Sequence, residues 1–253
     1  MNKKLIVGNW KMNPITIEEA KRIYRSVNNI SKKLSSTDIV ICPPFVYTKT
    51  FLNNNSKSKV FVGAQNVFTE EQGSYTGEIS PLMLKNLGVS YVIVGHSERR
   101  ARGETDEIIS KKVQLAIDSN LIPILCIGEK ERDAGGSYLN ILKEQIKNSL
   151  NKVTKKSIGK LIIAYEPLWA IGAKEAMTPA DVHEMGLFIK KVLSDLYGHS
   201  EAVSTKILYG GSVNFRNAAD IIVQGKVNGL LVGRESINSA GFVELLKTVD
   251  LLK

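Results

Sequence analysis

Cysteine and histidine are both scarce in this 253-residue chain, with two of the first (Cys42, Cys126) and three of the second (His96, His183, His199). Two cysteines cannot build a disulfide framework. Each closes an apolar run, as a buried small residue does, and a reducing compartment is the simplest setting. The histidines lack metal-ligand spacing, so no metal centre is expected. Long hydrophobic runs are missing too: nothing approaches the roughly 18 apolar residues of a membrane-spanning helix. The opening "MNKKLIVGNW" is basic and then apolar, and Lys11 follows at once, so its apolar run is too short for a signal peptide. The expected location is the cytoplasm. Positive charge is in excess, at +9 net. The lysines and arginines are scattered and no aromatic-basic motif accompanies them. A solvated lysine-rich surface, mildly steering an anionic small molecule, is therefore expected in place of nucleic-acid binding.

What the chain does have is a rhythm of short apolar runs at 4–9, 38–42, 59–64, 90–95, 121–128, 160–165, 206–210 and 227–233. None alternates cleanly. Continuous Val/Ile/Leu runs predict strands covered on both faces, hence a parallel sheet. Helical spacing fills the intervals. "TDEIISKKVQLAIDSN" opens on Thr105 as a cap, and "TPADVHEMGLFIKKVLSDLYG" offers Thr178 as cap, Pro179 at the first helical position and Gly198 beyond the end. Eight strand–helix units in about 250 residues predict a single α/β domain over 1–253, a (β/α)₈ barrel with parallel strands. The doubly wound open sheet is the alternative; no G-x-G-x-x-G follows the first strand to support it. One connection, 66–80, is oversized. Phe68 and Tyr75 within it predict that it docks onto something, against the reading of a disordered surface loop.

In a parallel barrel the chemistry lies where the strands end. The first run exits on Asn9, Trp10 and Lys11; the fourth on His96, Ser97, Glu98 and Arg99; the fifth on Glu129; the sixth on Glu166; the seventh on "GGSVN"; the eighth on "GRES". A carboxylate can act as general base, an imidazole as acid or hydrogen-bond donor, and an ammonium can stabilise an oxyanion. Glycine-rich turns expose N–H groups to an anion, and barrels often hold phosphate after strands 7 and 8. Together these predict proton abstraction beside a carbonyl of a phosphorylated small molecule, with no metal and no cofactor. A Schiff base on Lys11 is an alternative, though no neighbouring cation is evident to lower its pKa. "YGGSV" is not G-x-S-x-G, and there is no Walker A sequence.

With those residues placed, the chain resembles the triosephosphate isomerase family along its whole length. "GNWKMN" (8–13), "GAQNV" (63–67), "YTGEIS" (75–80), "VGHSERR" (94–100), "CIGE" (126–129), "AYEPLWAIG" (164–172), "YGGSVN" (209–214) and "LLVG" (230–233) match its motifs in order. The resemblance implies a TIM barrel in which Glu166 is the base between dihydroxyacetone phosphate and D-glyceraldehyde 3-phosphate. The pKa tuning and lid closure of this enzyme are themselves standard worked examples. It further implies a neutral His96 polarising the carbonyl, Lys11 supplying charge, Asn9 a hydrogen bond, and Glu98 support for the lysine. Phosphate would rest on main-chain N–H groups of Gly172, Ser212, Gly233 and Arg234. A homodimer would form through loop 66–80, with Thr76 at the contact beside Lys11 of a second copy. Two departures stand out. The lid reads Ala170-Ile171-Gly172-Ala173-Lys174-Glu175 where the family has Ala-Ile-Gly-Thr-Gly-Lys, which implies altered lid motion. The last turn reads Gly233-Arg234 where the family has Gly-Gly, so the arginine should point away from the phosphate or add a charge to it. The rival readings are an isomerase of a four-carbon ketose phosphate and a non-catalytic phosphate-binding barrel.

Overall fold

The apolar runs become the strands of a closed barrel paired in chain order, all parallel. They are β1 (Lys4–Asn9), β2 (Thr37–Cys42), β3 (Val60–Ala64), β4 (Tyr91–Val94), β5 (Ile122–Ile127), β6 (Ile162–Tyr165), β7 (Lys206–Tyr209) and β8 (Gly229–Val232). Outside them lie α1 (Ile17–Ser31), α2 (Phe45–Leu52), α3 (Pro81–Leu87), α4 (Ser97–Arg100), α5 (Asp106–Asp118), α6 (Ser137–Ser149), α7 (Pro179–Tyr197), α8 (His199–Ser204), α9 (Ala218–Val223) and α10 (Ser239–Asp250). This computed structural model describes residues 3–52, 58–170 and 177–252.

The lack of alternation in the strands has a direct cause: both faces are buried. Leu5, Val7, Val40, Ile93, Ile124, Cys126, Ile162, Ala164, Leu208 and Leu231 pack together inside the barrel. Their neighbours Ile6, Ile39, Val92, Val94, Leu125, Ile163, Tyr165, Ile207 and Leu230 face the helices. Side chains alternate along a strand, so the inside series can be run past each strand's end. Leu5–Val7 leads to Asn9, Ile162–Ala164 to Glu166, Leu208 to Gly210 and Leu231 to Gly233. The pleat itself therefore decides which exit residue looks into the barrel mouth.

The caps hold the helices as their sequences imply. Thr105 Oγ1 accepts the Ile108 N–H, and Thr178 Oγ1 accepts that of Asp181, with Pro179 at the first helical position. Strand ends are tighter than the apolar runs. β6 starts at Ile162 because Ile158–Lys160 form a 3₁₀ turn, and β8 starts at Gly229 because β1 offers it partners only over Leu5–Gly8. At that closing seam a Cβ on Gly229 would sit 1.8 Å from the Leu5 carbonyl oxygen, so only glycine lets the two strands pair. Loop 66–80 is folded back on itself. Phe68 N–H donates to the Ile79 carbonyl, and the Phe68 and Tyr75 rings meet at 4.7 Å. Residues 71–78 are all exposed, Thr76 among them.

Candidate active site

Three strand ends, those of β1, β4 and β6, bring Asn9, Lys11, His96 and Glu166 to one cavity of about 410 Å³ in the barrel mouth. Its other side is made by the turns after β7 and β8, including Gly210, Gly211, Ser212, Gly233 and Arg234. The volume suits a small ligand.

Lys11 has φ of +55°, a conformation that L residues seldom adopt. It is held there from two sides: its N–H donates to Asn9 Oδ1 (3.0 Å), and its carbonyl accepts from Gln65 Nε2 (2.8 Å). Strain persists where surroundings over-determine it, and here it aims a cation at the mouth. The Lys11 ammonium lies 2.6 Å from Glu98 Oε1.

His96 caps α4. Its Nδ1 accepts the N–H of Glu98 at 3.2 Å. A protonated Nδ1 has no lone pair for that bond, so the geometry belongs to a ring whose proton sits on Nε2. Nε2 lies 3.2 Å from Glu166 Oε1. Burial lowers the His96 pKa, but the charge and hydrogen bond of Glu166 outweigh it and leave the ring raised above its ordinary value. Were the carboxylate to turn away, burial would dominate and favour the neutral ring.

Glu166 is 3 % exposed. Burial pushes its carboxyl up. The charge and hydrogen bond of His96, the Ser97 N–H (3.4 Å from Oε2) and the Cys126 thiol together hold it below the ordinary value. Its backbone is fixed as tightly. Glu166 N–H donates to the Ile127 carbonyl, and a Cβ on Gly128 would come within 1.8 Å of the Glu166 carbonyl oxygen.

On the far side, Ser212 Oγ donates to the Ala170 carbonyl (2.9 Å), and Asn217 Nδ2 donates to the Ser212 carbonyl (3.1 Å). Asn217 Oδ1 also accepts the Asn214 N–H, so one side chain shapes the whole turn after β7. After β8, the Gly233 carbonyl accepts both the N–H and the hydroxyl of Ser236. Arg234 lies at the rim, lining the cavity while it stays exposed to solvent.

Not every expected residue lies here. Glu98 reaches the site through Lys11, Thr76 stands apart on loop 66–80, and Gly172 lies outside the described residues, as do Ile171, Ala173, Lys174 and Glu175 of the expected lid. The structure also gives parts to residues that the sequence named without a role. Glu129, 1 % exposed, accepts on Oε1 from Arg132 Nε (2.9 Å), the Tyr165 hydroxyl (2.8 Å) and Trp169 Nε1 (3.0 Å). It anchors the segment directly behind the carboxylate. Asn13, Asn214 and Asn217 also line the cavity, and their only signal was a place in "GNWKMN" or just after "YGGSV". Among the described residues no group of three His, Cys, Asp or Glu is placed to hold a metal ion, and no helix is long and apolar enough to cross a membrane.

The family model for triosephosphate isomerase matches residues 4–249. Similar curated proteins carry that name. The one from Dehalococcoides mccartyi strain BAV1 is 41 % identical over 100 % of this chain and 99 % of its own. That of Dictyoglomus turgidum is 40 % identical over 98 % and 100 %, and that of Roseiflexus castenholzii 41 % over 97 % of each.

Proposed function

The chain belongs to the triosephosphate isomerase family, whose reaction interconverts dihydroxyacetone phosphate and D-glyceraldehyde 3-phosphate, and we propose that Glu166, His96, Lys11 and Asn9 carry out its proton transfers here. The observation that carries this reading is the convergence of a buried carboxylate, an imidazole with its proton on Nε2 and an ammonium on one cavity. Glu166 takes a proton from the carbon beside the carbonyl. The C–H electron pair becomes the new C–C double bond, and the carbonyl oxygen gains negative charge. His96 Nε2–H, Lys11 and the Asn9 amide meet that charge as the enediolate forms. His96 gives its Nε2 proton to the former carbonyl oxygen and takes the proton of the neighbouring hydroxyl, and Glu166 returns its own proton to the former carbonyl carbon as the neighbouring oxygen becomes the new carbonyl.

The pKa directions fit the task. At rest, Glu166 is held acidic by His96, Ser97 and Cys126. Turning to substrate removes those donors and leaves burial, which raises the carboxylate's basicity at the moment it must take a proton from carbon. The same movement releases His96 toward its neutral form, the form able to hydrogen-bond an oxyanion and exchange protons with it.

Phosphate would rest on the main-chain N–H groups of Ser212, Gly233 and Arg234, and of Gly172 in the undescribed segment. No cofactor enters this mechanism. Nothing in the site or the comparisons favours an isomerase of a four-carbon ketose phosphate or a non-catalytic phosphate-binding barrel. Measuring kcat/KM for three- and four-carbon ketose phosphates tests the choice, and a clear preference for the four-carbon substrate would reverse it.

We further propose one catalytic domain over 1–253, acting in the cytoplasm as a homodimer. Support for the dimer comes from the exposed apolar side chains around the Lys11 loop and loop 66–80. Met12 and Ile15 are each 90 % exposed, and Val46, Tyr75 and Met83 are exposed as well. Apolar side chains this exposed are what an interface between two copies would cover. In this arrangement Thr76 would pack beside the Lys11 loop of a second copy.

A further inference from the structure

We propose that Arg234 grips the substrate's phosphate with its guanidinium as well as its amide, as a second cation at the phosphate end of the cavity. The inference rests on the isomerase reading for its ligand, and on the charges around Arg234 for its substance.

Four charged residues line the cavity besides His96: Lys11, Arg234, Glu166 and Glu235. Glu166 is engaged with His96. Lys11 reaches over Gly233, where an added Cβ would lie 3.4 Å from Lys11 Cε, but its ammonium is tied to Glu98 at 2.6 Å. That cation is already shared with a carboxylate and is assigned to the carbonyl end of the substrate. Glu235, the residue after Arg234, turns the other way. Its Oε1 accepts from Asn238 Nδ2 (3.3 Å) and lies against Gly241, whose added Cβ would fall 1.6 Å from it. Arg234 itself has no ion pair or hydrogen bond from its side chain among the described residues. Among the described residues it is the uncommitted cation of the site.

Its base is rigid. The turn Arg234–Ile237 is fixed by the two bonds that the Gly233 carbonyl accepts from Ser236, so the Cα of Arg234 is held at the rim while its side chain is free to close on a ligand. A guanidinium presents a planar fork that matches two phosphate oxygens at once. Because the residue is exposed, water and salt screen much of the attraction, so the effect on affinity is moderate and falls with ionic strength. Its field also reaches out of the mouth and raises the encounter rate with an anionic substrate.

Inorganic phosphate is the probe, titrated by calorimetry into the full chain, the Arg234→Gly variant and the Arg234→Lys variant at low and high salt. Arg234→Gly is expected to weaken phosphate binding roughly three- to fivefold at low salt, with the difference shrinking as salt rises. Arg234→Lys, which keeps the charge and loses the fork, should keep the salt dependence and fall between the two. KM for dihydroxyacetone phosphate should follow the same order. Equal phosphate affinities and equal salt slopes for the wild type and Arg234→Gly would overturn the proposal. The titration needs no turnover, so the two readings fail separately. A chain that binds phosphate through Arg234 but does not interconvert triose phosphates defeats only the isomerase reading.

Discussion

His96 Nε2 and Glu166 Oε1 lie 3.2 Å apart, while the opposite nitrogen of the same ring accepts the Glu98 N–H. The carboxylate is what lifts the imidazole pKa against burial. In Glu166→Gln the ¹⁵N titration of His96 should therefore move to lower pH. Stability carries the matching sign. Glu166 is depressed below its unfolded value of 4.5, so its contribution is complete above about that pH and is lost as pH falls through the lower folded value. The raised His96 carries the opposite sign, its share complete below 6.5 and lost as pH rises through the folded value, so denaturant titrations of the wild type and Glu166→Gln should differ most between about pH 4.5 and 6.5 and converge in acid. A His96 titration that does not move would show that the pair is not coupled.

Lys11 and Glu98 form an ion pair whose carboxylate side chain is 53 % exposed. Such a pair adds under about 1 kcal/mol to stability. Lys11→Met should leave the thermal midpoint nearly in place while raising the barrier by roughly 3–4 kcal/mol, as loss of an oxyanion-stabilising donor does. Glu98→Gln frees the lysine to wander and should lower kcat less than Lys11→Met. Steady-state kinetics paired with thermal melts separate the two effects. A large drop in stability with kcat preserved would assign Lys11 to structure alone.

Gly128 does not line the cavity, yet a Cβ there would come within 1.8 Å of the Glu166 carbonyl oxygen. Gly128→Ala should push the base out of position. A displacement of about an ångström costs on the order of 10²-fold in rate. The expected result is a large fall in kcat with KM changed little. An alanine variant with wild-type kcat would show that the backbone at Glu166 tolerates movement.

If loop 66–80 joins two copies, light scattering on a sizing column should give twice the chain mass of 27.9 kDa. Thr76→Arg should shift the population toward monomer and lower kcat along with it. A monomeric wild type with full activity would remove the dimer from the account.

Much of this was legible in the residues. The apolar runs gave the strands because burial on both faces forces continuous hydrophobicity, and Thr105 and Thr178 marked helix starts because their hydroxyls satisfy free N–H groups. Asn9 and Glu166 were placed in the mouth because each ends or follows an apolar run, and the alternation within the folded strands is what turns them inward. Harder to read were features that depend on a turn. The four-residue helix α4 sets the His96 tautomer, and no periodicity reveals so short a helix. The conversion of Glu129 from a strand-exit carboxylate into the buried anchor of Arg132, Tyr165 and Trp169 depends on three elements meeting. Whether Arg234 faced the cavity or the solvent was left open, because a side chain's direction on a 3₁₀ turn follows from the bonds that fix the turn.

The central claim is that Glu166 moves the proton. A coupled assay following dihydroxyacetone phosphate to glyceraldehyde 3-phosphate, run on the wild type and on Glu166→Gln, tests it most directly. The account predicts ready turnover by the wild type and a loss of roughly 10²–10⁴-fold in kcat for the variant, the range set by removing a general base. Turnover unchanged in Glu166→Gln would contradict it.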